Sequence, residues 1–475
     1  MNFSSMVFIF LFLALNILIH NLCRDMKAKN ITMLVFSLVF YAWAGLRFIV
    51  ILLGDVLICW IFALLIAGTE DERLRKRFLT ACVFLVLLVL GIFKYSSFFL
   101  LGIQRVTGIP KMIPTILLPV GISFYSFQLI SYVVDVYRGE VRPQKRYWIL
   151  LLYASLFHQC VAGPIVRYSD IQRDIRCRRT NYKQTSRGIS RFTIGLAKKA
   201  ILANSCAVIA DTYFAHDVAG LAAQSAAGLW LGGLAFLFQI YFDFSGYSDM
   251  AIGMGLMCGF HYLENFNYPY IADSVKDFWR RWHISLSRFF RDYVYIPLGG
   301  NRSGKARQLL NLLIVWTLTG FWHGASWNYV LWGLYFFAFL TAERFLFDKI
   351  SLPKALRHVL VLLIVYFCWI LFKFEDPVAL GTVLRGLFCG NGNPASSLAV
   401  MLDLRANYLL LLFCAVAATP FGHRLHGFLQ AGAAQNKTAF AVYSVWETLY
   451  PVALLLISAM ALTGNSYNPF LYYIF

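Results

Sequence analysis

The sequence predicts an all-α, polytopic integral membrane protein, and the prediction rests mainly on composition. Apolar residues make up 60% of its 475 residues and charged residues only 14%, whereas soluble globular domains have ~45–50% and ~25%. A soluble protein of this length could not bury so much apolar surface in its core. The apolar residues also collect in long runs, and a helix that crosses a bilayer needs ~20 of them. Disordered, collagen-like and coiled-coil chains are excluded by the same figures.

Thirteen apolar runs are candidates for membrane helices. The run 226–258 is too long for one ordinary span, whereas 55–67 and 308–321 are short enough to be half-spans or tilted pieces. We therefore expect about eleven transmembrane helices plus one or two re-entrant segments, in a single integral domain covering residues 1–475. The candidate runs are roughly 5–22, 31–52, 55–67, 79–103, 113–134, 147–165, 190–210, 226–258, 308–321, 328–347, 356–373, 399–418 and 440–463.

Basic loops predict the orientation of these spans. Loops 24–30, 69–78 and 138–147 are rich in Lys and Arg and are separated by pairs of spans. Such loops face the cytoplasm in membrane proteins, which places the N-terminus outside the cytoplasm. The loop 167–199 is more basic still, so we expect 147–165 to dip into the bilayer and return, or to span it only in part.

The remaining composition argues against several classes of function. The net charge of +19 fits orientation and contact with anionic headgroups, so we expect a lipid bilayer and no nucleic acid as partner. The ten cysteines are scattered without a CxxC pair, which argues against a zinc site or a disulfide framework. Walker, GxGxxG, HExxH and GxSxG motifs do not occur in the sequence, and we expect no bound metal or cofactor.

The polar stretch 264–307 predicts an amphipathic helix that begins near Val275, with Asp273 or Ser274 as its cap. A helical period of 3.6 residues places one aromatic and apolar face on Trp279, His283, Leu286 and Phe290. Another face carries Asp277, Arg281 and Arg288.

Two interpretations of this helix stay open. The first is a surface helix whose arginines reach the headgroups. The second is an anion-binding wall in which Lys276, Arg280 and Arg281 meet a phosphate-bearing donor, with Trp279 beside them.

His323 is the second candidate, in the segment TGFWHGASWNYVLWG at 319–333. An ionisable residue at membrane depth is a functional-site hypothesis by default. A buried neutral imidazole can accept a proton from a hydroxyl and act as a general base. Small neighbours such as Gly320 and Gly324 would let backbone or substrate approach closely. The alternative is a core histidine with one hydrogen-bond partner.

The segment QIYFDFSGYSDMAIG at 239–253 places two carboxylates, Asp243 and Asp249, in an otherwise apolar helix. Carboxylates in lipid need partners or water. We expect a supporting polar cluster here, in which these groups orient a histidine, bind a cation or cap a helix broken at Gly246.

These stretches together resemble the membrane-bound O-acyltransferase superfamily, and within it the alginate O-acetyltransferase type. The resemblance covers nearly the whole chain and is weakest in 350–440. The residues that carry it are ISFYSFQLISYVVDVYRGE at 122–140, VAGPIVRYSDI at 161–171, QIYFDFSGYSDMAIGMGLMCGF at 239–260, NFNYPYIADSVKDFWRRWHISLSRFFRDYVYIPLGGNR at 265–302, GFWHGASWNYVLWG at 320–333 and the final NPFLYYIF. One departure is His158 in FHQCVAGPI, where many relatives have proline; we assign it no role.

The resemblance implies a helical core with a funnel or tunnel and two catalytic histidines, His323 and His283. It implies acyl transfer from a cytoplasmic thioester, acetyl-CoA or an acyl carrier protein, to hydroxyls of an extracytoplasmic polysaccharide. An extracytoplasmic SGNH-type partner often completes the transfer, and the bacterial inner membrane is the expected location.

Three other functions stay open at this point. One is D-alanyl transfer to teichoic acid from a carrier protein, which relatives perform. Another is a membrane transporter, although the sequence shows no inverted repeat. The last is a scaffold for envelope assembly, which would tolerate loss of both His283 and His323.

Overall fold

A computed structural model describes residues 2–108, 116–160, 163–302, 304–345 and 352–464, and all regular structure within these ranges is helical. Contacts group the chain into two compact units: the first comprises Met1–Phe192, Met250–Glu264 and Ser285–Gly300, and the second Thr193–Asp249, Asn265–Ile284 and Asn301–Phe475. The single-domain interpretation stays a prediction. The final NPFLYYIF and the first two residues of VAGPIVRYSDI lie outside the described residues.

The helices are numbered in chain order. The first eleven are α1 Ala14–Leu22, α2 Met26–Ala42, α3 Leu46–Gly68, α4 Glu72–Thr107, α5 Ile122–Tyr137, α6 Tyr147–Ser155, α7 Phe157–Cys160, α8 Tyr168–Arg176, α9 Tyr182–Ala197, α10 Asn204–Tyr213 and α11 Val218–Ala222. The others are α12 Ala226–Met257, α13 Val275–Arg281, α14 Ile284–Phe290, α15 Lys305–His323, α16 Trp327–Phe345, α17 Lys354–Lys373, α18 Pro377–Cys389, α19 Leu398–Ala417, α20 Phe421–Ala433 and α21 Lys437–Gly464. Short π-helical stretches precede α1 (Val7–Leu13) and α10 (Lys198–Ala203) and follow α14 (Arg291–Tyr295).

Seven described helices are long and apolar enough to cross a membrane. They confirm the polytopic, all-α class, while the total of about eleven spans stays a prediction. The seven are Leu46–Gly68, Glu72–Gln104, Tyr182–Tyr213, Ala226–Met257, Lys354–Lys373, Leu398–Ala417 and Lys437–Gly464.

Two predicted boundaries near the N-terminus are wrong. The break predicted between the runs 31–52 and 55–67 is misplaced, because α2 ends at Ala42 and α3 extends from Leu46 to Gly68. Hydropathy cannot locate this break, since the residues on both sides of it are equally apolar. The run 55–67 is therefore the second part of a 23-residue helix rather than a half-span.

The run 147–165 forms no helix of spanning length, as predicted. It contains α6, with nine residues, and α7, with four. At 1.5 Å per residue neither can cross a hydrocarbon core of ~30 Å. That the segment returns to its side of entry stays a prediction.

A buried arginine organises part of the first unit. Arg178 donates from Nε to the carbonyl oxygen of Cys258 at 3.0 Å, and its terminal nitrogens lie against Asn30 and His20. Its guanidinium also covers the ring of Phe260 at 4.4 Å. These contacts tie the two N-terminal helices to the segment that follows α12, without involving the candidate site residues.

In the second unit, α12 runs unbroken through Gly246, so the predicted helix break there is wrong. Gly246 instead allows a close helix crossing. A Cβ at this position would lie 2.7 Å from the carbonyl oxygen of Gly195 and 3.1 Å from the Cβ of Lys198. Small residues of this kind let helix backbones pack closely inside membranes.

The predicted helix over 275–290 is interrupted. Ser274 caps its first turn, as expected, because its hydroxyl accepts from the backbone N–H of Asp277 at 3.0 Å. However, α13 ends at Arg281 and α14 begins at Ile284. The single face shared by Trp279, His283 and Phe290 therefore does not exist, and His283 lies in the break.

Candidate active site

All the candidate residues lie in the second unit. His323 is the last residue of α15 and is only 3% exposed. Its ring makes edge contacts with three aromatic rings, at centroid distances of 5.1 Å to Trp322, 4.8 Å to Trp332 and 5.3 Å to Phe372. The imidazole is thus enclosed in an aromatic core contributed by α15, α16 and α17.

Glycines around His323 bring α16 close to α15. A Cβ at Gly320 would collide with the backbone of Tyr329, and a Cβ at Gly324 would collide with the Tyr329 ring. The predicted close approach of protein backbone at these small residues is therefore confirmed. The hydroxyl of Tyr329 donates to Glu375 at 3.1 Å, which fixes the ring in this position.

His283 is fully buried and has a backbone φ of 43°, in the left-handed region that side-chain-bearing residues rarely adopt. Asn265 makes one contact with the backbone beside His283 and one with the His283 ring. The backbone N–H of Ile284 donates to the carbonyl oxygen of Asn265 at 3.0 Å, and His283 Nδ1 lies 3.2 Å from Asn265 Oδ1. Asn265 Nδ2 in turn donates to Ser248 Oγ at 3.1 Å. Strained backbone held by its surroundings is typical of functional sites.

This arrangement assigns the tautomer of His283. The amide nitrogen of Asn265 is used by Ser248, so its oxygen faces the ring and can only accept. Nδ1 of His283 therefore carries the hydrogen, and Nε2 is the basic nitrogen. Burial lowers the pKa of His283 to about 3, because a low-dielectric environment disfavours the charged ring. The imidazole is neutral at ordinary pH.

The structure brings the two candidate histidines to the same indole. The ring of Trp322 lies 5.8 Å from that of His283 and 5.1 Å from that of His323. Phe244 of α12 covers His283 from another direction, at 4.7 Å. Trp322 is thus a common aromatic neighbour of two buried imidazoles.

Comparison with known proteins identifies the family. A family model described as MBOAT, membrane-bound O-acyltransferase family, matches residues 147–374. The chain is 36% identical over 509 aligned residues to the "Probable alginate O-acetylase AlgI" of Azotobacter vinelandii, with all of both chains covered. The chain belongs to the membrane-bound O-acyltransferase family.

Other relatives differ in their acyl group and acceptor. The chain is 34% identical to the "Peptidoglycan O-acetyltransferase" of Helicobacter pylori, and the alignment covers 82% of this chain and 80% of that protein. It is 28% identical to the "Teichoic acid D-alanyltransferase" of Bacillus subtilis, over 54% of this chain and 67% of that one. This chain is thus an O-acyltransferase.

Asp243 and Asp249 of this acyltransferase form ion pairs with two consecutive lysines. Lys199 Nζ lies 2.7 Å from Asp243, and both side chains are at most 3% exposed. Lys198 Nζ lies 2.7 Å from Asp249, with exposures of 21% and 7%. The lysines belong to a π-helical turn, Lys198–Ala203. The pairs flank the close crossing at Gly246, so the two carboxylates secure α12 to the π-helical turn between α9 and α10.

The predicted donor-binding residues occupy different environments. Lys276 and Arg280 are exposed and lie one helical turn apart on α13. Arg281 is half-buried and pairs with Asp277 at 2.7 Å. Trp279 is buried against Trp316, at 4.7 Å, in the aromatic core. Their roles in donor binding stay predictions.

Sequence reasoning missed four residues of the site: Asn265, Ser248, Lys198 and Lys199. Asn265 lies within the NFNYPY segment already singled out, but nothing in its spacing points to His283. Among the described residues, no group of three or more His, Cys, Asp and Glu side chains could hold a metal ion. The funnel or tunnel implied by the resemblance stays a prediction.

The buried pair yields a stability prediction. Lys199→Met is expected to lower the thermal unfolding temperature in detergent much more than Lys198→Met. Removing one partner of a buried pair leaves an uncompensated charge, at a cost of ~3–5 kcal/mol, whereas Lys198 is partly hydrated. The double variant Lys199→Met/Asp243→Leu should regain most of the loss. Equal effects of both single variants, with no recovery in the double one, would contradict this account.

Proposed function

We propose that the enzyme transfers an acetyl group from a cytoplasmic thioester, acetyl-CoA, to hydroxyls of an extracytoplasmic polysaccharide. The acceptor is the polymer itself or a partner protein of the SGNH type that completes the transfer. The observation that supports this most is the placement of His283 and His323 against one indole, in a chain related over its full length to alginate O-acetylases. The peptidoglycan O-acetyltransferase relative supports an acetyl group and a glycan acceptor.

In the proposed reaction His323 is the general base. Its imidazole takes the proton of the acceptor hydroxyl while the oxygen attacks the thioester carbonyl carbon. The carbon–sulfur bond then breaks, and the leaving thiolate takes the proton back from the imidazolium. No net proton is consumed, and the aromatic surroundings of His323 keep competing water away from the thioester.

His283 acts on the cytoplasmic approach, where its Nε2 orients the donor. Lys276 and Arg280 meet the phosphates of the donor, as exposed cations one turn apart can. The bacterial inner membrane, with the N-terminus outside the cytoplasm, gives the donor and acceptor access from opposite sides.

His323→Ala is expected to abolish acetylation of the envelope glycan while leaving the protein in the membrane, because the base is lost. The measurement is mass spectrometry of envelope polymers from cells that contain equal membrane amounts of each variant. His216→Ala, which removes an exposed histidine, is the control and should retain product. Wild-type acetylation with His323→Ala would remove this residue from the mechanism and favour a scaffold, and solute flux that persists without His323 would favour a transporter.

Asn265→Leu is expected to lower kcat about ten- to hundredfold, since losing a buried hydrogen bond costs ~1–3 kcal/mol. Asn265→Asp retains the acceptor for Nδ1 and adds a negative charge. That charge raises the pKa of His283 above about 3, so the variant loses activity at a higher pH than the wild type as the solution is acidified.

The control for this pH profile is Asn267→Asp, which adds the same charge at an exposed position two residues away. It should leave the acid limb unchanged. If Asn265→Asp lowers only the yield of folded protein and its pH profile matches the wild type, Asn265 has a purely structural role.

D-alanyl transfer is the second candidate, supported by the teichoic acid D-alanyltransferase relatives. Purified protein in vesicles can be offered acetyl-CoA or a D-alanyl carrier protein. We expect His323-dependent release of free thiol from acetyl-CoA only. Lys276→Gln/Arg280→Gln should raise KM for acetyl-CoA severalfold at similar kcat, whereas Lys437→Gln/Arg405→Gln should not. Thiol release from the carrier protein alone would favour the D-alanyl reaction.

A further inference from the structure

The second unit contains a cavity whose lining includes neither candidate histidine. It encloses about 550 Å³ between α12, α17 and the end of α19. Its walls include Leu234, Leu363 and Ala415, together with the aromatic rings of Trp230, Tyr270 and Tyr366. We call this the α12–α17 groove. A volume of this size is typical of ligand sites.

The polar groups that line the groove are bonded to protein carbonyls. Each donates to a backbone oxygen, which leaves an apolar lining. The bonds are Tyr270 Oη to Leu237 at 2.6 Å, Tyr366 Oη to Trp230 at 3.1 Å, Trp230 Nε1 to Leu387 at 3.1 Å, His358 Nδ1 to Ala272 at 2.9 Å and Thr419 Oγ1 to Val416 at 2.7 Å. A sugar, nucleotide or pantetheine would lose its hydration here without gaining equivalent hydrogen-bond partners. The lining therefore favours a hydrocarbon occupant.

The surroundings supply such an occupant. All three helices are among those long and apolar enough to cross the bilayer. Leu234 and Leu363, which line the groove, are also 37% and 41% exposed. The groove is therefore continuous with helix surface that faces lipid chains in the membrane.

Positive charge lies at one end of the groove. His358 is the first residue of α17 to line the groove, and exposed Lys354 precedes it by one helical turn on the same face. Thr419 also lines the groove. Exposed Arg424 follows Thr419 in the first turns of α20. Arg357 is the less available cation, because it pairs with Asp273 at 3.2 Å. Basic side chains beside an apolar groove match an anionic headgroup joined to an acyl chain.

We propose that the α12–α17 groove is a binding site for one phospholipid of the surrounding bilayer, with an acyl chain in the groove and an anionic headgroup at Lys354. This site is separate from the proposed acetyl-transfer site and does not depend on the identity of the acyl donor.

The test uses the full-length protein, washed in detergent and reconstituted in vesicles of equal amounts of phosphatidylglycerol and phosphatidylethanolamine. Native mass spectrometry of the re-extracted protein then counts the lipids it retains. We expect one retained phospholipid per chain, enriched in phosphatidylglycerol. Ala415→Trp fills the groove from its exposed rim and should lose that lipid. Leu409→Trp, an exposed position outside the groove on the same helix, should retain it.

A second variant with its own control tests the groove independently, in case Ala415→Trp does not fold. Leu363→Trp fills the groove from α17, and Leu360→Trp is its matched control, since both leucines are 41% exposed and only Leu363 lines the groove. Lys354→Gln should retain a lipid but lose the enrichment in phosphatidylglycerol, whereas Lys437→Gln should keep it. Unchanged lipid retention in folded Ala415→Trp and Leu363→Trp would overturn the proposal. So would a retained fatty acid or thioester in place of phospholipid, or unchanged headgroup enrichment in Lys354→Gln.

Discussion

The rest of the site depends on the contact between Asn265 and His283. Asn265 accepts a backbone hydrogen bond from Ile284 through its carbonyl and faces the His283 ring with its side-chain oxygen. The first contact satisfies a backbone group exposed by the helix break, and the second fixes which ring nitrogen is basic. One residue thus resolves both consequences of interrupting the helix at this position.

The same requirement for internal partners explains the two carboxylates of α12. A charge removed from water needs a close counter-charge, and α12 carries Asp243 and Asp249 where the neighbouring helix presents Lys199 and Lys198. The helices can approach closely enough for these pairs because Gly246 has no side chain at their crossing. The pairs therefore fix the register of α12, which brings Phe244 to the His283 ring and Ser248 to the Asn265 side chain.

Composition and hydropathy predicted the fold class and the later spans well. Helices α17, α19 and α21 lie within a few residues of 356–373, 399–418 and 440–463, because each is apolar over its full length and bounded by polar residues. The break at His283 could not be predicted in this way. The residues from 275 to 290 keep a helical period throughout, whereas the interrupted backbone is held by contacts with Asn265, which lies before this helix.

The candidate site residues also differ in how far the local sequence could reveal them. His323 could be singled out because an ionisable group is rare in apolar surroundings. His283 lies in a polar stretch, and its predicted role came from the family resemblance. By sequence alone Lys198 and Lys199 belong to the basic loop 167–199, since consecutive lysines usually lie in water. Only the tertiary contact with α12 distinguishes them from surface lysines.

The aromatic core links the proposed lipid groove to the histidines through rigid side chains. Tyr270 of the groove lies 6.4 Å from Trp282, and Trp282 lies 4.7 Å from Trp369. Trp369 lies 6.4 Å from Trp332, which lies 4.8 Å from His323. Indole and phenol rings have few rotatable bonds, so such a core positions an imidazole by packing alone. An acyl chain in the groove would complete the packing around Tyr270 on the side where protein is absent. The bilayer would then contribute to the aromatic packing that positions the candidate active site.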